Sequence, residues 1–207
     1  MKLSGESKLF IGILLATVAI IAGAVFFMSQ PEKTLSRSDL LPSDTYTKGN
    51  KNASSYLVEF SDFQCPACGT FKPLVDGIIT KYKDKLLFGY RHFPLYNTHP
   101  FAEKAALAAE AAGRQGKFWE MYEYLFENQQ KFSDEVIMEG ATVLKLDKEK
   151  FDKDINDPKL KDKINRDVAA GNSLGVNATP TFFLNGKKLN ISSFDDLENS
   201  VKAEINK

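Results

Sequence analysis

The sequence has little of what a disulfide-rich, nucleic-acid-binding or multi-span membrane protein needs. Its 207 residues include two cysteines, and 27 Lys and Arg balance 27 Asp and Glu. Two cysteines cannot build a disulfide scaffold, and a chain without excess positive charge lacks the electrostatic pattern of a nucleic-acid-binding protein. With 43% hydrophobic and 26% charged residues, the composition is typical of a globular domain. We therefore expect one folded domain that binds no nucleic acid.

Charge is also missing from Leu9–Met28, a run of twenty residues. At about 1.5 Å per residue, a helix of this length matches the roughly 30 Å hydrocarbon core of a bilayer. A cleavable signal peptide is the alternative, because lysines precede the run and Ala22-Gly23-Ala24 fits a cleavage pattern. We favour an uncleaved anchor over 1–28, since the apolar run continues through Val25–Met28. Both alternatives export the remaining chain, which would be secreted if the segment is cleaved.

The remaining chain divides by composition and by apolar spacing. Residues 29–54 are mostly polar, and we interpret them as a tether with a short edge strand near Leu40-Leu41. The folded domain then covers 55–207. We expect an α/β core made of 55–96 and 171–207, split by an all-helical insertion over 97–170.

Strand and helix patterns alternate in the core. Tyr56–Phe60 and Leu86–Phe93 have the composition of strands, and apolar residues at helical spacing run between them from Phe71 to Tyr82. Strand, helix, strand predicts a parallel βαβ unit. Asn185-Gly186 between two strand-like runs predicts a hairpin. Helix N-caps are expected at Ser133, Asp147, Asp157 and Ser193.

The two cysteines stand together as Cys65-Pro66-Ala67-Cys68, where the first strand gives way to a helix. The free N–H groups of a first helical turn favour a thiolate at Cys65. Pro66 has no N–H, so Ala67 and Cys68 must supply the donors. Cys68 lies one turn further on and can attack a mixed disulfide at Cys65. We assign Cys65 as nucleophile and Cys68 as resolving thiol of a redox-active disulfide.

Half a zinc site has the same CxxC spacing, so zinc has to be weighed. It would need two more ligands, and the chain offers His92 and His99, whose separation by six residues does not fit zinc-ligand spacing. We expect no metal and no cofactor. His99 receives no role from the sequence.

Four motifs follow one another in the chain: VEFSDFQCPACGTF at 58–71, RHFPL at 91–95, FAEKAALAAEAAGRQGKFWEMYEYLF at 101–126 and GVNATPTFFLNG at 175–186. In this order they resemble a known family, the DsbA-like thiol:disulfide oxidoreductases, and in particular its membrane-tethered bacterial members. The resemblance covers about residues 40–207. It implies a thioredoxin-like α/β fold with a helical insertion, preceded by one N-terminal transmembrane helix.

The resemblance implies roles for three further residues. A cis Thr179-Pro180 bond would lie against the cysteines, with the Thr179 backbone offered to an extended substrate. Glu59 would be a buried acid with a raised pKa that exchanges a proton with Cys68; the alternative is a solvent-facing Glu59. Strongly oxidising members carry a His where this chain has Ala67, so we expect a milder reduction potential.

Together these features predict an extracytoplasmic disulfide donor that acts on reduced or unfolded exported proteins. A membrane redox partner would reoxidise it. We expect a monomer. An isomerase is less favoured, because dedicated isomerases of this type carry an extra dimerisation domain and only a short tether precedes this core. A reductase or isomerase of the same fold, and a redox-silent tethered chaperone-like module, are the alternatives.

Overall fold

The computed structural model describes residues 5–28 and 34–206. Two compact units follow each other along the chain, Met1–Thr34 and Leu35–Lys207. The first contains helix α1, Gly5–Met28. Across the described residues, no helix meets the combined length and apolar character required to cross a membrane. The predicted anchor is thus not confirmed and stays a prediction, and the predicted tether residues 29–33 lie outside the described ranges.

The second unit is built on a five-stranded sheet within the described residues, with strand order β1-β3-β2-β4-β5. The strands are β1 Tyr46–Gly49, β2 Ser55–Ser61, β3 Leu86–His92, β4 Thr181–Leu184 and β5 Lys187–Lys188. β2 and β3 pair in parallel, with Val58 opposite Gly89, which confirms the predicted βαβ unit. β4 and β5 form the predicted hairpin, and Asn185 and Gly186 both take the positive φ of its turn.

Helices cover both faces of this sheet. They are α2 Arg37–Leu40, α3 Pro66–Lys81, α4 Ala102–Gly113, α5 Phe118–Glu127, α6 Asp134–Val143, α7 Lys148–Ile155, α8 Pro158–Ser173 and α9 Phe194–Ile205, with a 3-10 turn at Gln129–Lys131. The stretch from α4 to α8 lies between β3 and β4 and has the all-helical character predicted for the insertion. The predicted N-caps at Ser133, Asp147, Asp157 and Ser193 are confirmed, since each side chain accepts a main-chain N–H.

The central strands are buried on both faces, because side chains alternate across the sheet. Leu57 and Phe88 belong to one apolar core, whereas Val58 and Phe60 belong to another. By the same alternation Glu59 faces the core of Leu57. A carboxyl group in that position is enclosed by apolar side chains rather than by solvent.

The predicted boundary between tether and domain is wrong. β1 pairs with β3, Leu40 is fully buried, and Tyr46 stacks on Phe118 with ring centroids 3.9 Å apart, so the domain begins well before residue 55. The edge strand expected at Leu40-Leu41 is β1 instead. Its residues are only half-buried and include Lys48, as is usual for edge strands, so its sequence resembles a polar linker.

Candidate active site

Cys65 is the N-cap residue of α3, at the junction of strand and helix where the sequence predicted it. β2 ends at Ser61, and the loop then turns so that the Cys65 N–H donates to the Asp62 carbonyl at 3.1 Å. Pro66 opens the helix with the fixed φ that a first helical position favours. Cys68 follows in the same first turn. The junction therefore brings both sulfurs to the helix N-terminus.

The two thiols differ in access and in acidity. Both are free, and Cys65 keeps 6% of its surface exposed whereas Cys68 keeps none. The pKa of Cys65 is lowered from 9.0 to about 5, chiefly by a hydrogen bond from the Cys68 thiol, and further by the Thr179 side chain and the N–H groups of Cys68 and Ala67. Burial, the Cys65 sulfur and the Glu59 charge raise the pKa of Cys68 well above its usual value. At neutral pH Cys65 is a thiolate and Cys68 a thiol.

The loop before β4 lies against the nucleophile. Thr179-Pro180 is a cis peptide bond, as the resemblance implied. When Cys65 is protonated, its thiol donates to the Thr179 carbonyl at 3.3 Å. The Thr179 hydroxyl is buried and has no hydrogen-bond partner among the described residues. Thr179 thus presents both a carbonyl and an unused hydroxyl to the active-site sulfur.

Glu59 is buried, with 2% of its surface exposed, so the solvent-facing alternative is wrong. Its Oε2 atom has no hydrogen-bond partner within the part of the chain described. Burial raises the pKa of Glu59 from 4.5 to about 7, repulsion from Asp76 and Cys65 adds to this, and the Ser61 hydroxyl opposes it. The carboxyl group is therefore half protonated near neutral pH, within electrostatic range of Cys68.

Three polar residues of the site were missed by sequence reasoning. Asp62 is fully buried in its side chain, and its Oδ1 accepts the Gln64 N–H at 2.7 Å. This is an Asx turn, and an Asp directly after a strand is a weak sequence signal for it. The Oδ2 atom takes hydrogen bonds from Leu95 N at 2.8 Å and from His99 Nδ1 at 2.7 Å. His99, to which no role was assigned from the sequence, thus lies beside the active-site loop.

Gln129 is the third missed residue, and it contacts the cysteine loop directly. Its amide nitrogen donates to the carbonyls of Phe63 and Cys65 at 2.7 and 2.8 Å. The histidines that zinc would have needed are engaged elsewhere, with His92 paired to Glu110 and His99 to Asp62. Among the described residues, no group of three or more His, Cys, Asp or Glu side chains is placed to hold a metal ion.

Comparisons with known proteins agree with this fold. The family model described as thioredoxin matches residues 43–203. The thiol-disulfide exchange protein alpha-DsbA2 of Wolbachia pipientis superposes with a TM-score of 0.71 at 23% identity, covering 81% of this chain and 90% of that one. A crystallised variant of alpha-DsbA1 from the same organism gives 0.70 at 26% identity, covering 82% and 94%.

One relative is a much longer protein that is named as an antiporter. The Na(+)/H(+) antiporter NhaA 1 of Mycolicibacterium gilvum is 36% identical over 197 residues, which are 89% of this chain and 32% of the antiporter. This chain therefore spans about a third of the length of that relative. The name describes the longer protein, and the match concerns the shared third.

Proposed function

This chain belongs to the thioredoxin family and has the fold of DsbA-like thiol:disulfide oxidoreductases, and from this premise we propose that it donates disulfides to reduced exported proteins through Cys65 and Cys68. The observation that carries the proposal is the asymmetry of the two thiols. Cys65, the more accessible of the two, has a pKa of about 5, and the fully buried Cys68 has a pKa well above its usual value. Thiol–disulfide exchange needs this combination of a good leaving group and a protected resolving thiol.

The proposed reaction begins with the oxidised protein. A client thiolate attacks Sγ of Cys65, the bond to Cys68 breaks, and the Cys68 sulfur leaves with the electron pair and takes up a proton. Glu59 is the buried acid whose charge acts on Cys68, and we assign to it the delivery of that proton. A second client thiolate then attacks the client sulfur of the mixed disulfide, and Cys65 leaves as a thiolate. The client has lost two electrons, which a disulfide-bearing membrane partner then removes from the protein.

The acidity of Cys65 supports the donor direction. A stabilised thiolate stabilises the reduced protein, so the corresponding disulfide is the less stable form and passes readily to a client. The extended client is expected to pair with the backbone at Thr179. The side chain of Ala67 offers no hydrogen-bond donor to the Cys65 thiolate, which argues against a strongly oxidising reduction potential.

Two assays test the direction. Oxidised protein should form disulfides in a reduced, unfolded ribonuclease, and Cys65→Ser should abolish this activity. Reduced protein should reduce insulin slowly. Fast insulin reduction without client oxidation would favour the reductase alternative. Client binding that persists after both thiols are blocked, with no exchange in either assay, would favour a chaperone-like module.

We also propose that residues 1–28 anchor the chain in a membrane, with the catalytic domain outside the cytoplasm. The proposal rests on the uncharged run Leu9–Met28 and on the dependence of an oxidase on a compartment where disulfides persist. Protease accessibility of intact cells, followed by the mass of the mature chain, tests both location and cleavage. A full-length chain protected from protease would contradict the proposal.

A further inference from the structure

The side-chain amide of Gln129 is held against the backbone of the cysteine loop. Gln129 begins the 3-10 turn between α5 and α6 and keeps 8% of its surface exposed. The nitrogen Nε2 lies 2.7 Å from the Phe63 carbonyl oxygen and 2.8 Å from the Cys65 carbonyl oxygen. An amide nitrogen carries two N–H donors. Both are therefore used on the two carbonyls that flank Gln64.

The Cys65 carbonyl accepts a second hydrogen bond, from the Gly69 N–H at 3.2 Å. This is the first main-chain bond of α3, so Gln129 and the helix together fix the peptide group that joins Cys65 to Pro66. The N–H groups of Ala67 and Cys68 that lower the pKa of Cys65 follow directly after that peptide group. The orientation that Gln129 imposes on it therefore sets how those donors face the sulfur.

Gly69 provides the room for this amide. A Cβ atom at position 69 would collide with the Oε1 atom of Gln129 and lie 3.1 Å from its Cδ. Such contacts are too short for ordinary packing, so a larger residue at 69 requires the amide to move. The position of the Gln129 amide thus depends on the missing side chain of Gly69, although sixty positions separate the two residues in the sequence.

The helical insertion contacts the same loop at a second point. The Phe101 N–H at the start of α4 donates to Oε1 of Gln64 at 2.7 Å. Gln129 lies between α5 and α6 of the same insertion. The insertion therefore contacts the loop that carries the nucleophile at two points.

We propose that Gln129 is a positioning residue for the Cys65 nucleophile, acting through the backbone of Phe63 and Cys65. The inference rests on the proposed exchange function and deepens it. Loss of the amide leaves two buried carbonyls with fewer donors and loosens the helix entry. The thiolate then loses part of its stabilisation, and the disulfide becomes less oxidising.

The test compares Gln129→Leu with Gln130→Leu, which changes an exposed residue of the same type in the same turn. We measure the midpoint of Cys65 alkylation against pH, and the equilibrium with glutathione. Gln129→Leu should raise the midpoint by about one pH unit and shift the equilibrium about tenfold toward the oxidised protein. Gln130→Leu should match the wild type in both. A folded Gln129→Leu protein with wild-type midpoint and equilibrium would overturn the proposal, whatever its stability.

Gly69→Ala is the second variant, and it carries the test if Gln129→Leu does not fold. It should shift the midpoint in the same direction, and most of this effect should vanish in a Gln129→Ala background, because the two positions act as one. Independent effects would contradict the proposal. If the wild-type protein exchanges with glutathione but oxidises no client, the proposed function is wrong. The result on Gln129 still stands in that case.

Discussion

The thiol of Cys65 donates a hydrogen bond to the main-chain carbonyl of Thr179 at 3.3 Å, beside a buried Thr179 hydroxyl that has no partner in the described part of the chain. A thiolate cannot donate, so ionisation of Cys65 breaks this bond. The charged sulfur then accepts a hydrogen bond from the free hydroxyl. Thr179 lowers the pKa of Cys65 in this way, after the larger effect of the Cys68 thiol. It supplies a donor that the side chain of Ala67 cannot.

Thr179→Val should therefore raise the pKa of Cys65. One hydrogen bond to a charged group corresponds to about one pKa unit. The ultraviolet absorbance of the thiolate against pH measures the shift, and the glutathione equilibrium should move toward the oxidised protein. Thr179→Ser keeps the hydroxyl and is the matched control. Equal titration of the Val and Ser variants would show that the hydroxyl plays no part.

Glu59→Gln should stabilise the protein at high pH. The folded-state pKa of about 7 lies above the ordinary value of 4.5, so between these values the folded state binds more protons than the unfolded state. The stability of the wild type consequently falls as pH rises from 4.5 to 7 and stays low above it. At pH 8 the variant should gain up to about 3 kcal/mol in free energy of unfolding. Urea unfolding at pH 5 and pH 8 measures this, and an equal gain at both values would contradict the assignment.

In the reduced protein, the contribution of Cys65 to stability should have the opposite pH dependence to that of Glu59. Its folded-state pKa of about 5 lies below the ordinary 9.0, so the folded state binds fewer protons between these values and stability rises with pH. The difference in thermal stability between reduced wild type and Cys65→Ser should grow from pH 5 to pH 9. Burial, the largest cause of the raised pKa of Glu59, is common to both proteins. Parallel stability curves would mean that no stabilised thiolate exists.

Most of the fold could be predicted from local sequence patterns. Asn185-Gly186 and Ser193 act through neighbours within a few residues, so their turn and cap could be predicted from the sequence. β1 could not, because its pairing with β3 joins residues some forty positions apart and its half-buried residues have no apolar alternation. Strand propensity describes burial on a pleated surface, and an edge strand has little of it.

The site residues also divide into those that local sequence patterns predict and those that depend on long-range contacts. Cys65 and Cys68 could be identified because their chemistry depends on a three-residue spacing and on a helix start. The bonds from Gln129 to Cys65 and from His99 to Asp62 bridge 64 and 37 positions, and one sequence contains no sign of such contacts. The apolar run Tyr56–Phe60 and the resemblance both indicated a buried Glu59, but a strand with one acid is also compatible with that side chain facing solvent, so the burial had to be seen in the structure.

Glu110→Ala should destabilise the fold without changing the redox site. The Oε1 atom of Glu110 accepts hydrogen bonds from Lys163 Nζ at 2.6 Å and His92 at 2.9 Å, and all three side chains are largely buried. Removing the carboxylate leaves the Lys163 charge without this partner in the protein interior, which costs about 3–5 kcal/mol. Urea unfolding at pH 7 measures the loss, while the pH midpoint of Cys65 alkylation should stay at its wild-type value.

Glu103→Ala is the matched control for that loss. Glu103 lies on the same helix α4 and pairs with Lys161 of α8 at 3.0 Å, but both side chains are substantially exposed. Solvent screens an exposed pair, so its removal should cost less than about 1 kcal/mol. Equal losses in the two variants would mean that burial does not set the strength of these α4–α8 pairs. A shifted alkylation midpoint in Glu110→Ala would mean that the interior ion pair acts on the cysteines as well as on the fold.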